Sequence, residues 1–267
     1  MGPIHPVRAM RLFGLYFKVG AMNELQYRAN FAAELLQSGI ALATGLAVLA
    51  LVFAQTPSLG GWSQPELLAV MGVHTLMGGI VWTFIDPNMQ RLIADVREGT
   101  LDFVLTKPAD SQLLVTIREV RIWHGVDVVI GLVVLGVAVV QIGGQIGPLD
   151  VAAFVVALLL GASMIYCFWM ILTTGAFWIV RMDDIHELFE GVYEAGRWPV
   201  TIYPGWLRIG LTFLVPIAFA VTVPAEALTS RLTPATLGLA AAFALGLLAF
   251  TRWFWRFGLK NYSGASA

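Results

Sequence analysis

Six long apolar runs, separated by short clusters of charge, constrain this chain more than any other feature. They fall at about 31–54, 66–85, 122–146, 149–180, 206–228 and 235–254. A run of roughly 20 apolar residues can cross the hydrocarbon core as a helix, with every backbone polar group satisfied inside the segment. Only 12% of the residues are charged, against about 25% in a typical soluble domain. The pattern predicts an all-α membrane protein with about six transmembrane helices. It also predicts one membrane domain over 31–254, an N-terminal segment over 1–30 and a tail over 255–267. The fourth run is long enough to require a tilt, a break or an extension beyond the membrane.

The basic residues give an orientation. With the N-terminus inside, the inner segments hold Arg8, Arg11, Lys18 and Arg28; Arg91, Arg97, Lys107, Arg118 and Arg121; Arg181, Arg197 and Arg208; and Arg252, Arg256 and Lys260. Arg231 alone falls outside. Cytoplasmic loops concentrate Lys and Arg, so a multi-pass protein of the cell membrane with both termini cytoplasmic is expected. Arg8, Arg11 and Lys18 share an arc at helical spacing, with Leu12, Phe13, Tyr16 and Phe17 largely elsewhere. This reads as a helix lying in the inner interface against anionic lipid headgroups, or as a basic tail.

Enzymatic signals are weak. The three lysines follow Phe17, Thr106 and Leu259, so no Gly-Lys pair exists to build a phosphate-cradling loop. His5, His74, His124 and His186 have no metal-ligand spacing, and no catalytic or metal site is expected. Asp183, Asp184 and His186 could serve a metal-dependent lipid-modifying enzyme, although an acidic run after span four also fits a solvated helix. A net charge of −1 gives no support for nucleic-acid binding. Cys167 lies in an apolar run and reads as a small buried hydrophobe. Polar residues inside spans are candidates for a transport pathway: His74 near mid-depth, Asp127 early in span three and Glu34 at the inner end of span one. A helix-to-helix hydrogen bond is the plainer reading for His74. Trp62, Trp82, Trp123, Trp206, Trp253 and Trp255 fall near span ends, as an aromatic belt would.

The longest inner loop, about 86–121, contains Glu98-Gly99-Thr100-Leu101-Asp102-Phe103-Val104-Leu105-Thr106-Lys107-Pro108. Gly99 and Pro108 punctuate it, Thr100 can cap a short helix, and Leu101, Val104 and Leu105 share one face. That face either docks into a groove on another protein or packs against the chain's own inner helix ends. Glu98, Asp102 and Lys107 would set its register.

The string Arg97 to Pro108 resembles the signature after the second span of ABC-2 type transporter permeases, in the branch of short permeases that work with a separate ATPase. Tyr27-Arg28-Ala29-Asn30-Phe31, Tyr203-Pro204-Gly205-Trp206-Leu207-Arg208, Val215-Pro216-Ile217-Ala218-Phe219 with Pro224-Ala225, and Trp255-Arg256-Phe257-Gly258-Leu259 are similar to that branch in order and spacing. The resemblance implies an ATP-driven exporter in which two permeases, identical or related, pair and a dimer of separate ATPase subunits drives them. ATP and magnesium would sit on those ATPases, with no cofactor on this chain. It further implies that the loop helix couples to the ATPase and that residues 1–30 form the interface helix. Export suggests a lipophilic or amphiphilic cargo. A secondary transporter without an ATPase is the other transport reading, and no internal repeat supports it.

Overall fold

The computed structural model describes residues 6–24, 28–143, 146–178 and 185–262. In chain order the helices are α1 (Pro6–Glu24), α2 (Arg28–Phe53), α3 (Gln64–Ile80), α4 (Asp86–Glu98), α5 (Asp102–Leu105), α6 (Ser111–Thr116), α7 (Gly125–Ile142), α8 (Pro148–Gly175), α9 (Ile185–Glu194), α10 (Gly205–Ile209), α11 (Val223–Leu228) and α12 (Pro234–Asn261). Among the described residues the only β pairing is an isolated bridge between Leu59 and Trp62. We call the end of the bundle holding residues 99–121 basal, and the end holding 54–63 apical.

α3 and α4 form one continuous helix, Gln64–Glu98, joined through a wide π-helical turn at Val81–Ile85. Pro87 explains the turn. Proline carries no N–H and crowds the carbonyl four residues earlier. That carbonyl, Thr83 O, instead accepts from Arg121 N at 3.1 Å. At about 1.5 Å per residue, the 35 residues reach well past the hydrocarbon core at the basal end. α3 packs closely on α7. A Cβ on Gly131 would lie 2.5 Å from Leu76 N, and one on Gly79 would lie 2.6 Å from Val128 N. Small residues are what permit such close backbone approach between membrane helices.

Among the described residues, five helices are long and apolar enough to span: Asn30–Phe53, Gln64–Glu98, Ile122–Ile142, Pro148–Gly175 and Pro234–Asn261. The bent pair Gly205–Leu214 and Ala218–Leu228, broken by 78°, would make a sixth if it crossed. Its contacts place it otherwise. Arg208 Nη2 donates to Thr201 O at 2.8 Å, and Trp62 Nε1 donates to Thr201 Oγ1 at 3.1 Å, so the pair begins at the apical end. Ile217 lies deeper, against Gly196, and Gly196 in turn lies beside His74. The second arm then climbs back. Val200 N donates to Thr222 Oγ1, and Arg231 pairs with Glu66 at the apical start of α3. The pair is therefore a re-entrant hairpin. Its tip is at Val215-Pro216, where a residue preceding proline favours the extended backbone that Val215 adopts. Against α8 it fits because Gly161 is small: a Cβ there would lie 2.5 Å from Ala220 Cα.

The crossing is made instead by 185–202. His186 meets Asp86 near the basal side, Tyr193 meets His74 at mid-depth, and Thr201 meets Trp62 at the apical end. Along the continuous helix Gln64–Glu98, Gln64 and Asp86 are about 33 Å apart at about 1.5 Å per residue, so a stretch that touches Asp86 at one end and Trp62 at the other covers a core of about 30 Å. This corrects the expected fifth span, 206–228, and moves Arg197 and Arg208 out of the inner group. The stretch does not read as an apolar spanning helix because its α-helix, Ile185–Glu194, is short, continues as 3-10 turns, and carries Glu187, Glu190 and Glu194, with Arg197 just beyond. Polar residues are tolerated at membrane depth where a helix borders a cavity, and Glu190, Glu194 and Arg197 do so. Crossing parity is kept, so α1 and the end of α12 both lie basally: Gly20 of α1 abuts Val120, and Trp255 Nε1 donates to Ser111 Oγ.

A labelling experiment separates the two topologies. Cysteines at Ser58 and Gly205 are expected to react from one side of the membrane, and a cysteine at Lys107 only from the other. The native Cys167 is buried and should stay silent. If Gly205 and Lys107 label from the same side, 205–228 crosses and the re-entrant assignment fails.

Candidate functional site

Two features stand out: a polar chamber inside the bundle and a braced loop at its basal end. The chamber is a chain of adjoining cavities between α2, α3–α4, α7 and α9. The largest, about 350 Å³, is lined by Glu34, Asp86, Arg121, His124, Asp127 and His186, among others. A second, of about 280 Å³, shares Glu34, Arg121 and His124 and adds Asn30 at the basal rim. The deepest, about 120 Å³, shares Trp82, Asp127, Glu190 and Glu194 and reaches His74, Tyr193 and Arg197. The three intramembrane polar residues picked from sequence, Glu34, His74 and Asp127, thus line one connected space.

His74 also makes the helix-to-helix bond expected of it. Its Nε2 donates to Tyr193 O at 3.2 Å, the Tyr193 hydroxyl donates to His74 O at 2.8 Å, and the rings stack at 4.6 Å. Sequence reasoning missed His124, His186, Glu190, Glu194 and Arg197 as chamber residues. His124 and Asp127 stand three apart, a spacing that puts both on one side of a helix turn; that signal was available. Trp82 belongs to the chamber, edge-on to His186 at 5.4 Å, rather than to an aromatic belt. Asp183 and Asp184 lie outside the described residues. His186 is engaged by Asp86 Oδ1 at 2.8 Å and Gln90 Nε2 at 3.1 Å.

The basal loop reverses one expectation. Leu101 is 0% exposed and Val104 3%, both in the main core cluster with Leu105 packed against it, while Phe103 is 73% exposed. Of the two readings of the Leu101, Val104 and Leu105 face, it is packing within the chain that holds, so this face is the anchor and not the outward-docking surface that the resemblance implied. The physical reason is local. Gly99 takes the left-handed conformation (φ 71°) that ends α4, which glycine adopts without Cβ strain. The turn folds Leu101 back under the bundle, so a four-residue helix, Asp102–Leu105, presents Phe103 to solvent. Thr100 does not cap that helix; its hydroxyl donates to Asp95 Oδ1 at 2.9 Å. Glu98, Thr106, Lys107 and Pro108 are exposed around Phe103, and Asp102 is half-buried. Truncating Leu101 to alanine should therefore cost stability, about 2–5 kcal/mol for a buried Leu→Ala. A thermal unfolding midpoint equal to wild type would contradict its burial.

Both ends of the loop are braced. Asp95, 1% exposed, accepts from Arg118 Nη2 at 2.6 Å and pairs with Arg91 Nε at 3.1 Å. Asn88 Oδ1 accepts from Arg118 N and Glu119 N, while its Nδ2 donates to Glu119 O and Phe84 O. Asp110 caps α6 through Leu113 N and forms a bidentate pair with Arg252 of α12. Burial alone would raise the Asp110 carboxyl, but the bonds from Arg252 and the α6 backbone outweigh it and hold the carboxyl below its usual value. Its stabilising contribution is therefore present above the ordinary carboxylate range and is lost as pH falls through the depressed value. The loop is thus tied to α4 on one side and to α12 on the other.

The family described as ABC-2 family transporter protein matches residues 40–266. The chain belongs to the ABC-2 transporter family. The match begins within α2 and includes the whole braced loop and most of the chamber, whose lining residues Asn30, Glu34, Gln37 and Ser38 precede it. This ABC-2 protein is the membrane component of a transporter, which accounts for an all-α bundle with a polar interior. No curated protein and no solved structure matched the chain.

Proposed function

We propose that this ABC-2 protein is a permease subunit forming half of the translocation pathway of an ATP-driven exporter in the cell membrane, its basal end in the cytoplasm. Lys18, Arg91, Arg97, Lys107, Arg118, Arg121, Arg256 and Lys260 gather at that end, in line with the positive-inside rule. A separate ATPase dimer binds ATP and magnesium and docks on the basal loop. A second permease, identical or related, completes the pathway.

The observation that carries the reading is the exposed Phe103 on a loop braced to α4 and α12. A solvent-facing aromatic ring on a short helix anchored by Leu101 and Val104 is suited to a pocket on a partner. Because Asp95, Asn88 and Asp110 tie the loop to two spanning helices, a push on Phe103 moves those helices rather than bending the loop. Glu98, Asp102 and Lys107 border the contact and set its register; Gly99, Thr100, Leu101, Val104, Leu105 and Pro108 shape and anchor it. Coupled motion of α3–α4 and α12 would then alternate access to the chamber. Trp82, Leu42 and Met71 beside carboxylates and histidines suit an amphiphilic cargo with both polar and apolar parts.

Reconstitution tests this. The chain alone in proteoliposomes is expected to show no ATP hydrolysis and no transport of an amphiphilic dye. With its ATPase it should show both. Hydrolysis by the chain alone, or transport driven by a proton gradient without ATP, would defeat the reading.

A further inference from the structure

The basal mouth of the chamber brings together three donors, of which only His124 and Asp127 stand close in sequence. Glu34 reaches in from α2, His124 from the turn before α7 and Asp127 from its first turn. One ligand atom from each lies within 4.8 Å of the others, and all three residues are half-buried. His124 Nδ1 is 2.7 Å from Glu34 Oε1.

That ion pair accounts for two of the three residues. Asp127 has no hydrogen-bond or ion-pair partner among the described residues. A carboxylate in a membrane-spanning helix calls for a counter-charge. Neighbouring basic side chains are engaged elsewhere: His124 with Glu34, and Arg121 with Asp86 at 3.8 Å and Gln90 Oε1 at 2.9 Å. We propose that Glu34, His124 and Asp127 form a binding site for a divalent transition-metal ion that ties α2 to α7 at the basal mouth.

The donor chemistry fits. One imidazole nitrogen and two carboxylate oxygens form a three-ligand set of the kind zinc accepts while keeping a position for water. The adjoining cavities of about 350 and 280 Å³ supply room for that water and a route of entry, both requirements of a credible site. A bound ion neutralises Asp127 and adds a link from α7 to α2 beside the His124–Glu34 contact. Occupancy would hold the mouth narrow, so the metal acts as a clamp on the entrance rather than as a catalyst.

The test uses the full-length chain in lipid nanodiscs, titrated with Zn2+ by calorimetry, with thermal unfolding measured beside it. One saturable site per chain is expected, together with a rise in the unfolding midpoint. Asp127→Asn, which keeps the side chain's shape, should weaken binding at least tenfold and abolish the rise while unfolding as wild type does without metal. His124→Gln should act in the same direction, and His186→Ala should leave binding unchanged. No saturable site in the wild type, undiminished binding by Asp127→Asn, or a loss caused by His186→Ala instead would each overturn the assignment.

Discussion

Phe103→Ala is expected to leave the bundle folded and to reduce co-purification of the partner ATPase by at least tenfold, with loss of ATP-dependent transport. The side chain is 73% exposed, so its removal leaves no cavity and should shift stability by less than about 0.5 kcal/mol, the usual range for surface changes. If the ring inserts into a pocket on the ATPase, full burial of such a side chain is worth about 1.5–3 kcal/mol, and 1.4 kcal/mol is a factor of ten in affinity. The exposed charges around it are worth less, about 0–1 kcal/mol each, so Glu98→Gln should act mildly. Leu101→Ala supplies the contrast, because it should lower the unfolding midpoint and lose the ATPase only through that route. If Phe103→Ala keeps its ATPase and transports normally, the basal loop is not the coupling contact.

The largest loss of stability is expected from Asp95→Ala. The carboxylate is 1% exposed and holds Arg118, Arg91 and the Thr100 hydroxyl at 2.6, 3.1 and 2.9 Å. Removing it strands Arg118, whose side chain is only 12% exposed. Breaking a buried pair by deleting one partner typically costs about 3–5 kcal/mol, because an uncompensated charge is left behind. Thermal unfolding of Asp95→Ala beside the double variant Asp95→Ala, Arg118→Met separates the causes. The double variant should recover part of the loss, since the stranded charge is gone. If both variants unfold together with wild type, Asp95 does not brace the loop.

Several elements of this protein were readable from residue order alone. Apolar runs of spanning length gave α2, α7, α8 and the start of α12 within a few residues, because a helix in lipid must be apolar on nearly every side; α12 itself runs on to Asn261. Gly99 marked the end of a helix because glycine acts through its own backbone. The loop signature and its neighbouring motifs pointed to the family that residues 40–266 match.

Other features depended on what lies across from each residue. The acidic run that includes His186, Glu187 and Glu190 looked like a solvated inner helix, yet it opens the stretch 185–202 that crosses, with Glu190 and Glu194 bordering a cavity that only the packing of α2, α3 and α7 creates. The run 206–228 looked like a span, yet it dips and returns, since the contacts of Arg208 and Arg231 bring both of its ends to one side. Leu101, Val104 and Leu105 announced a shared face through their spacing, but spacing gives a helix face no direction. The turn at Gly99 and the burial of Leu101 under the bundle decided it. Glu34 and Asp127 were chosen singly as polar residues in spans; their meeting with His124 belongs to the fold. Sequence determines what is local or what the membrane demands uniformly along the chain. Tertiary structure decides which polar groups share a cavity and which apolar faces turn inward, because both depend on neighbours far away in the chain.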